Sequence, residues 1–291
     1  MQEEGLGLYL YCLYAGGNSL SVRGTETGIP DLVGIDGDHK VFTLSKGDIH
    51  AALSLVPLQE FDAGPLEQRM GDLEWVAPRV LIHERIIEEI MAAYPVMPLR
   101  FCTIFAATDR IEELLEIHHA KITRFLSDIT DKEEWGVKGY IKGGRLGEAL
   151  ETLSPALRAN EVNLREASLP VRGTQTGPGQ AYLLRKKMAL AVKDGLDSVV
   201  AQITEEVFQG LLVHAVKGIR TKTLQVEDGE ERREMALNAA LLVPRSDVKS
   251  FLGCVKETEE RYRSHGLSLS VTGPWPPYNF CPVFGDEIAQ G

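Results

Sequence analysis

Ile129-Thr130-Asp131-Lys132-Glu133-Glu134-Trp135-Gly136-Val137-Lys138 is the stretch on which the fold turns. Before it, Ile111, Leu114, Leu115, His118, Ile122, Phe125 and Leu126 recur at helical spacing between about Thr108 and Asp128, with Thr108 or Asp109 as the expected cap. After it, Trp135–Ile141 reads as a strand. Residues 129–134 keep neither period, so a domain boundary is placed there, separating 1–130 from 131–273.

Beyond the boundary, Leu146, Ala149, Leu150, Leu153 and Leu157 suggest a short amphipathic helix, and 159–179 reads as loop. A long helix is predicted from about Gln180 to Gly210, and strands over Leu212–Leu224 and Glu234–Val243. Pro244 then starts a helix carrying Val248, Phe251, Leu252 and Val255, and Leu267–Thr272 is the closing strand. The order β-α-β-β-α-β is the plan of a ferredoxin-like antiparallel sheet with two helices on one face. Four prolines from Pro274 to Pro282 are expected to stop the last strand, leaving 274–291 as a tail.

On the other side, Leu8–Tyr14 is apolar enough to be a strand buried on both faces, and 15–30 is a Gly/Ser/Thr loop. Extended segments follow at Leu32–Ile35, Lys40–Leu44 and Ile49–Val56, with a turn at Asp36-Gly37-Asp38. From Gly64 to Ala92 the period is helical, with Pro78 as a point of interruption, and Val96–Phe105 reads as one strand. The expected class is therefore α+β in two domains.

The 291 residues include 31 Lys and Arg against 42 Asp and Glu, a net charge of −11, and 44% are hydrophobic. Such a chain is globular and too long for a single core of ordinary size. Its acidity, with no basic block beyond Arg185-Lys186-Lys187, excludes grip on nucleic-acid phosphates and on an anionic membrane surface. An acidic Met1-Gln2-Glu3-Glu4 start and the lack of a run of about 20 apolar residues lead to a cytoplasmic expectation.

The chain carries no motif of a familiar catalytic or metal site. His83-Glu84 is followed by Arg85-Ile86-Ile87 rather than by a second histidine at zinc spacing, and no phosphate-binding or nucleophile-elbow motif occurs. Gly177-Pro178-Gly179-Gln180 reads as a helix-start turn. His118 and His119 point about 100° apart on a helix and do not share one ion easily. Cys12, Cys102, Cys254 and Cys281 are far apart and read as small buried thiols. The charge runs Glu227–Arg233 and Lys256–Arg261 read as solvated surface, and the near-repeat of 19–28 with 168–177 as two similar connectors. No catalytic residue, cofactor or metal site is expected.

The tail stands apart. Trp275, Tyr278, Phe280 and Phe284 would form an exposed apolar patch in water, so they must pack on their own protein or bind a partner. Packing is favoured for Trp275 and Tyr278, and Phe284 is more open to a partner.

Taken in order, Tyr9–Tyr14, Leu99–Phe105, Glu134–Lys138, Gly177–Lys187 and Gly273–Phe280 resemble the GvpL/GvpF family of gas vesicle proteins, spanning nearly the whole chain. Cys102 stands where that resemblance leads one to expect a small residue such as Gly. The resemblance implies an N-terminal α/β domain of modified ferredoxin-like type, a C-terminal ferredoxin-like domain and a tail that contacts the body. It also implies a non-enzymatic accessory role in gas vesicle assembly, through binding the small hydrophobic shell protein or other accessory proteins. A competing reading is an enzyme or small-ligand binder with a site between the domains, because related folds host many activities. A third is a structural component of the vesicle wall.

Overall fold

The computed structural model describes residues 5–16, 29, 31–142, 178–223 and 233–284. The predicted helix at 146–157, both near-repeat loops and most of the 227–233 charge run lie outside them.

Strand β1 (Leu6–Ala15) is central to the first sheet, which explains why Leu8–Tyr14 is buried without alternation. The other strands are β2 (Phe42–Lys46), β3 (Ile49–Pro57), β4 (Val96–Pro98) and β5 (Ile104–Phe105). Their order is β2-β3-β1-β4, and β5 also pairs with β1; every pairing is antiparallel. The β1–β3 register shifts between Leu10 and Cys12, leaving Tyr11 as the extra residue of a bulge. This change of phase lets Tyr9, Tyr11, Cys12 and Tyr14 join one core cluster with Ile86, Ile87 and Ile90.

The bulge accounts for a correction. The strand expected over 96–105 is two short strands, separated by a turn in which Cys102 takes a left-handed φ of 63°. Opposite the bulge, the Leu99 amide donates to the Tyr11 carbonyl at 2.9 Å, and the Leu10 amide to the Thr103 carbonyl at 2.9 Å. One continuous strand cannot follow a partner that gains a residue there.

The helical stretch is also divided, into α1 (Leu58–Phe61), α2 (Ala63–Arg69) and α3 (Leu73–Met91). The break falls before Asp72, whose side chain caps the Glu74 and Trp75 amides, and not at Pro78, which lies inside α3. Pro78 removes one amide donor, while Trp75, His83, Ile86, Ile87 and Ile90 bury the inner face and hold the helix across it. Glu60 Oε1 accepts from Trp75 Nε1 at 2.6 Å, Arg69 at 2.7 Å and Arg79 at 2.8 Å, tying α1, α2 and α3 together. Helix α4 (Thr108–Ile129) begins from Ala107 with no side-chain cap, so neither Thr108 nor Asp109 plays that part; Asp109 lies in the first turn, where a carboxylate suits the helix dipole.

Asp131, with φ 56°, turns the chain directly into β6 (Lys132–Lys142), so the polar residues 132–134 are already strand. Then come α5 (Pro178–Leu212), β7 (Lys217–Arg220), β8 (Arg233–Pro244), a 3-10 turn at Arg245–Asp247, α6 (Val248–Tyr262) and β9 (Leu267–Trp275). The second sheet runs β7-β8-β6-β9, with β7 and β8 antiparallel. Its core joins Val137, Val207, Phe208, Leu241 and Phe251. Strand β7 is shorter than predicted because α5 runs on to Leu212 and residues 213–216 form the link. Strand β9 continues through Pro274, which an edge position tolerates because no ladder donor is lost.

By contacts the chain forms two units, Met1–Glu134 with Pro274–Gly291, and Trp135–Gly273.

Candidate functional site

The tail's prolines set its path. Pro276 and Pro277 are buried, and Tyr278–Phe280 forms one 3-10 turn closed by the Phe280 amide on the Pro277 carbonyl at 3.2 Å. Pro277 lies just before this turn, so the restricted φ of a proline leads the chain into it.

Residues of α3, β4, α4 and the start of β6 receive the turn and the residues that follow it. From α3, His83 is 1% exposed, with Nδ1 3.0 Å from the Tyr9 hydroxyl and Nε2 3.2 Å from the Tyr278 hydroxyl. Tyr278 donates to Glu84 Oε1 at 2.8 Å, and Tyr9 accepts the Cys102 amide at 2.8 Å. One proton assignment satisfies this run. The Cys102 N–H donates to Tyr9, Tyr9 to Nδ1, His83 Nε2–H to Tyr278, and Tyr278 to Glu84. At the start of β6, Glu134 Oε2 accepts the Asn279 amide at 3.1 Å and Oε1 the Asn279 side-chain amide at 2.6 Å. Cys281 Sγ lies 3.4 Å from the Pro277 carbonyl and 3.7 Å from the Pro98 carbonyl of β4, and from α4 Lys121 donates to the Val283 carbonyl and lies 4.9 Å from the Phe284 ring centre. The His118 ring meets Phe284 edge-on at 4.9 Å.

Burial sets the protonation of these groups. It lowers His83 to about 4, against an opposing hydrogen bond at the Leu99 backbone, so the ring is neutral near pH 7. Burial also raises Glu134 to about 7, although both Asn279 donors favour the ionised form. Glu84 is raised by burial and by the charge of Glu88, opposed by the Tyr278 hydrogen bond. Tyr9 and Tyr278 are pushed up by burial, and burial lifts the Cys102 and Cys281 thiols to about 12. Weakly ionised thiols are poor nucleophiles, and a hydrogen-bonded relay through a neutral His83 is suited to holding a chain segment in place.

Of the four tail aromatics, Phe280 is buried at 7% exposure, Tyr278 and Phe284 are half-buried, and Trp275 is 42% exposed. The structure brings Tyr278 and Phe280 into one docking site and sends Phe284 to α4. Of the residues that meet here, Glu134 and the tail's Asn279 lie in two of the stretches that carry the family resemblance, though nothing in the sequence pairs them, and His83 and Glu84 lie in none. His83-Glu84 attracts notice only as an incomplete zinc pattern, and nothing marks its link to a residue 195 positions away. An open groove of about 380 Å³ lies elsewhere in the first unit, lined by Lys46, Asp109, Glu112, Glu113, Glu116 and Ile117. Among the described residues, no group of three or more His, Cys, Asp or Glu side chains is placed to hold a metal ion, and no helix is long and apolar enough to cross a membrane.

Comparison with known proteins places this architecture. The chain is similar to gas vesicle protein L of Streptomyces sp. (strain CB03234), 29% identical over 251 residues, covering 85% of each chain. It is 24% identical to gas vesicle protein L1 of Halobacterium salinarum, over 96% of this chain and 92% of that one. Its fold matches the crystal structure of the gas vesicle protein GvpF from Anabaena sp. PCC7120, with a TM-score of 0.70 at 18% identity over 96% and 99% of the two chains. GvpF from Microcystis aeruginosa gives a TM-score of 0.64 at 17% identity, over 95% and 99%. The family model described as gas vesicle synthesis protein GvpL/GvpF matches residues 7–282, and the chain belongs to that family.

Proposed function

We propose that this chain is a non-enzymatic accessory protein of gas vesicle formation that works in the cytoplasm. It binds the small hydrophobic shell protein, other accessory proteins, or both, limits aggregation of the shell protein and assists nucleation and assembly. The observation that carries the reading is family membership over nearly the whole chain. Physical chemistry supports it: a subunit that polymerises through apolar surface aggregates when alone, and a partner with eleven net negative charges lends solubility.

Within this reading the second unit is a ferredoxin-like domain, supported by its β7-β8-β6-β9 order. Tyr278, Phe280 and Phe284 fasten the tail, and Trp275 is the tail aromatic with the most surface to offer a partner. Co-expression tests the function. The shell protein should stay in the soluble fraction with this chain and precipitate without it; equal precipitation in both cases would overturn the reading.

A further inference from the structure

Helix α3 has two unlike faces. Trp75, His83, Ile86, Ile87 and Ile90 are buried, as the inner stripe of a surface helix should be. The opposite face of its first half is also apolar: Leu73 is 78% exposed, Leu81 71%, and Ala77 lies between them at i+4 spacing. Met70, 49% exposed, lies in the link just before the helix and is not part of the row. Solvent-facing rows on a helix are ordinarily polar, and two large aliphatic side chains aligned with an alanine form a contact ridge.

Charge around the ridge has one sign in excess. On α3 and its cap Asp72, Glu74, Glu88 and Glu89 are exposed, against Arg85 as the one exposed basic residue of that helix, while Arg69 and Arg79 are engaged by Glu60. A second copy of this ridge would set acid against acid, whereas a stripe flanked by Lys or Arg would find both apolar contact and opposite charge. The ridge is stiff, because the Asp72 cap and the Glu60 cluster hold the first turns of α3, so docking orders little that is not already ordered.

We propose that the Leu73–Ala77–Leu81 ridge of α3 is a docking surface for an amphipathic helix of a partner protein, with an apolar stripe flanked by basic residues. It rests on the proposed function only in taking the partner to be a protein. The surface is separate from the tail-docking site, whose α3 residues are His83 and Glu84.

The test is an anisotropy titration of the full chain with a labelled synthetic helix of about 18 residues, leucines spaced three and four apart and flanked by lysines. Binding should weaken with added salt, and fall about tenfold or more in L73Q/L81Q, since each leucine loses its burial. E74K/E88K should also weaken it, and the same peptide with glutamates for lysines should bind far less. V283Q removes an equally exposed apolar side chain of the tail and should leave binding unchanged. Unchanged thermal unfolding of L73Q/L81Q would show that the fold is intact. No binding by the wild-type chain, equal binding by L73Q/L81Q, or an equal loss in V283Q would overturn the proposal. Failure of the wild-type chain to keep the shell protein soluble would instead count against the proposed function, with this titration still read on its own terms.

Discussion

Glu134 grips Asn279 with both carboxylate oxygens, one on the backbone amide and one on the side-chain amide. The bidentate contact ties the beginning of β6 to the tail at a residue only 4% exposed. Two donors alone would hold Glu134 ionised, yet burial outweighs them and lifts it to about 7.

This sets up opposed pH dependences. The pKa of Glu134 is higher folded than its ordinary 4.5, so its contribution to stability is full below about 4.5 and lost as pH rises through 7. His83 is lowered from 6.5 to about 4, so its contribution is full above 6.5 and lost as pH falls through 4. Between 4.5 and 6.5 the two slopes oppose each other, and these two groups together should leave stability nearly level. In Glu134→Gln stability should rise with pH across that window, and in His83→Asn it should fall, each by up to about 1.4 kcal/mol per pH unit. Urea midpoints measured at several pH values check both signs.

Tyr278→Phe keeps the ring and removes the hydroxyl that lies between His83 Nε2 and Glu84. A buried polar atom left without a partner costs about 1–3 kcal/mol, and the loss should shrink when His83→Asn is already present. A double-mutant cycle in urea measures the coupling, and strict additivity would show that the relay does not act as a unit.

Phe280 and Trp275 are five residues apart and should respond differently. Phe280→Ala empties a buried site and should cost about 3–5 kcal/mol, while Trp275→Ala, at a side chain 42% exposed, should cost less. Chemical denaturation of the two variants gives the comparison, and equal losses would contradict the packing described.

Cys102 has a left-handed φ of 63°, which costs an L-residue about 1–2 kcal/mol and a glycine nothing. Cys102→Gly should therefore be neutral or raise stability by about 1 kcal/mol, and Cys102→Val should lower it. Melting temperature is a sufficient readout.

Legibility of the fold tracked how local each cause was. Helix α4 was readable almost to its last residue because Ile111 through Leu126 keep the helical period unaided, and β1 because Leu8–Tyr14 is apolar throughout. The split of 96–105 was not, since its cause is the extra residue at Tyr11 on a neighbouring strand. Pro78 misled for a related reason: the buried row from Trp75 to Ile90 outweighs one lost amide. At the candidate site, the aromatic tail announced that it must be covered. The pairing with its receivers stayed hidden: His83 lies outside the family stretches, and Glu134, though inside one, carries no sign of a partner 145 residues on.

The pairing of residues 134 and 279 also bears on how the protein is made. These positions lie 145 residues apart, and a ribosome adding roughly 5–20 residues per second needs on the order of ten seconds to travel between them. Throughout that interval the newly made first unit has Glu134 and His83 without their tail partners. Its final closure thus follows synthesis of the second unit, reversing the usual order in which N-terminal domains mature first. A premature stop anywhere in that stretch would release both units unfinished, the first of them for want of a turn encoded near the far end of the message.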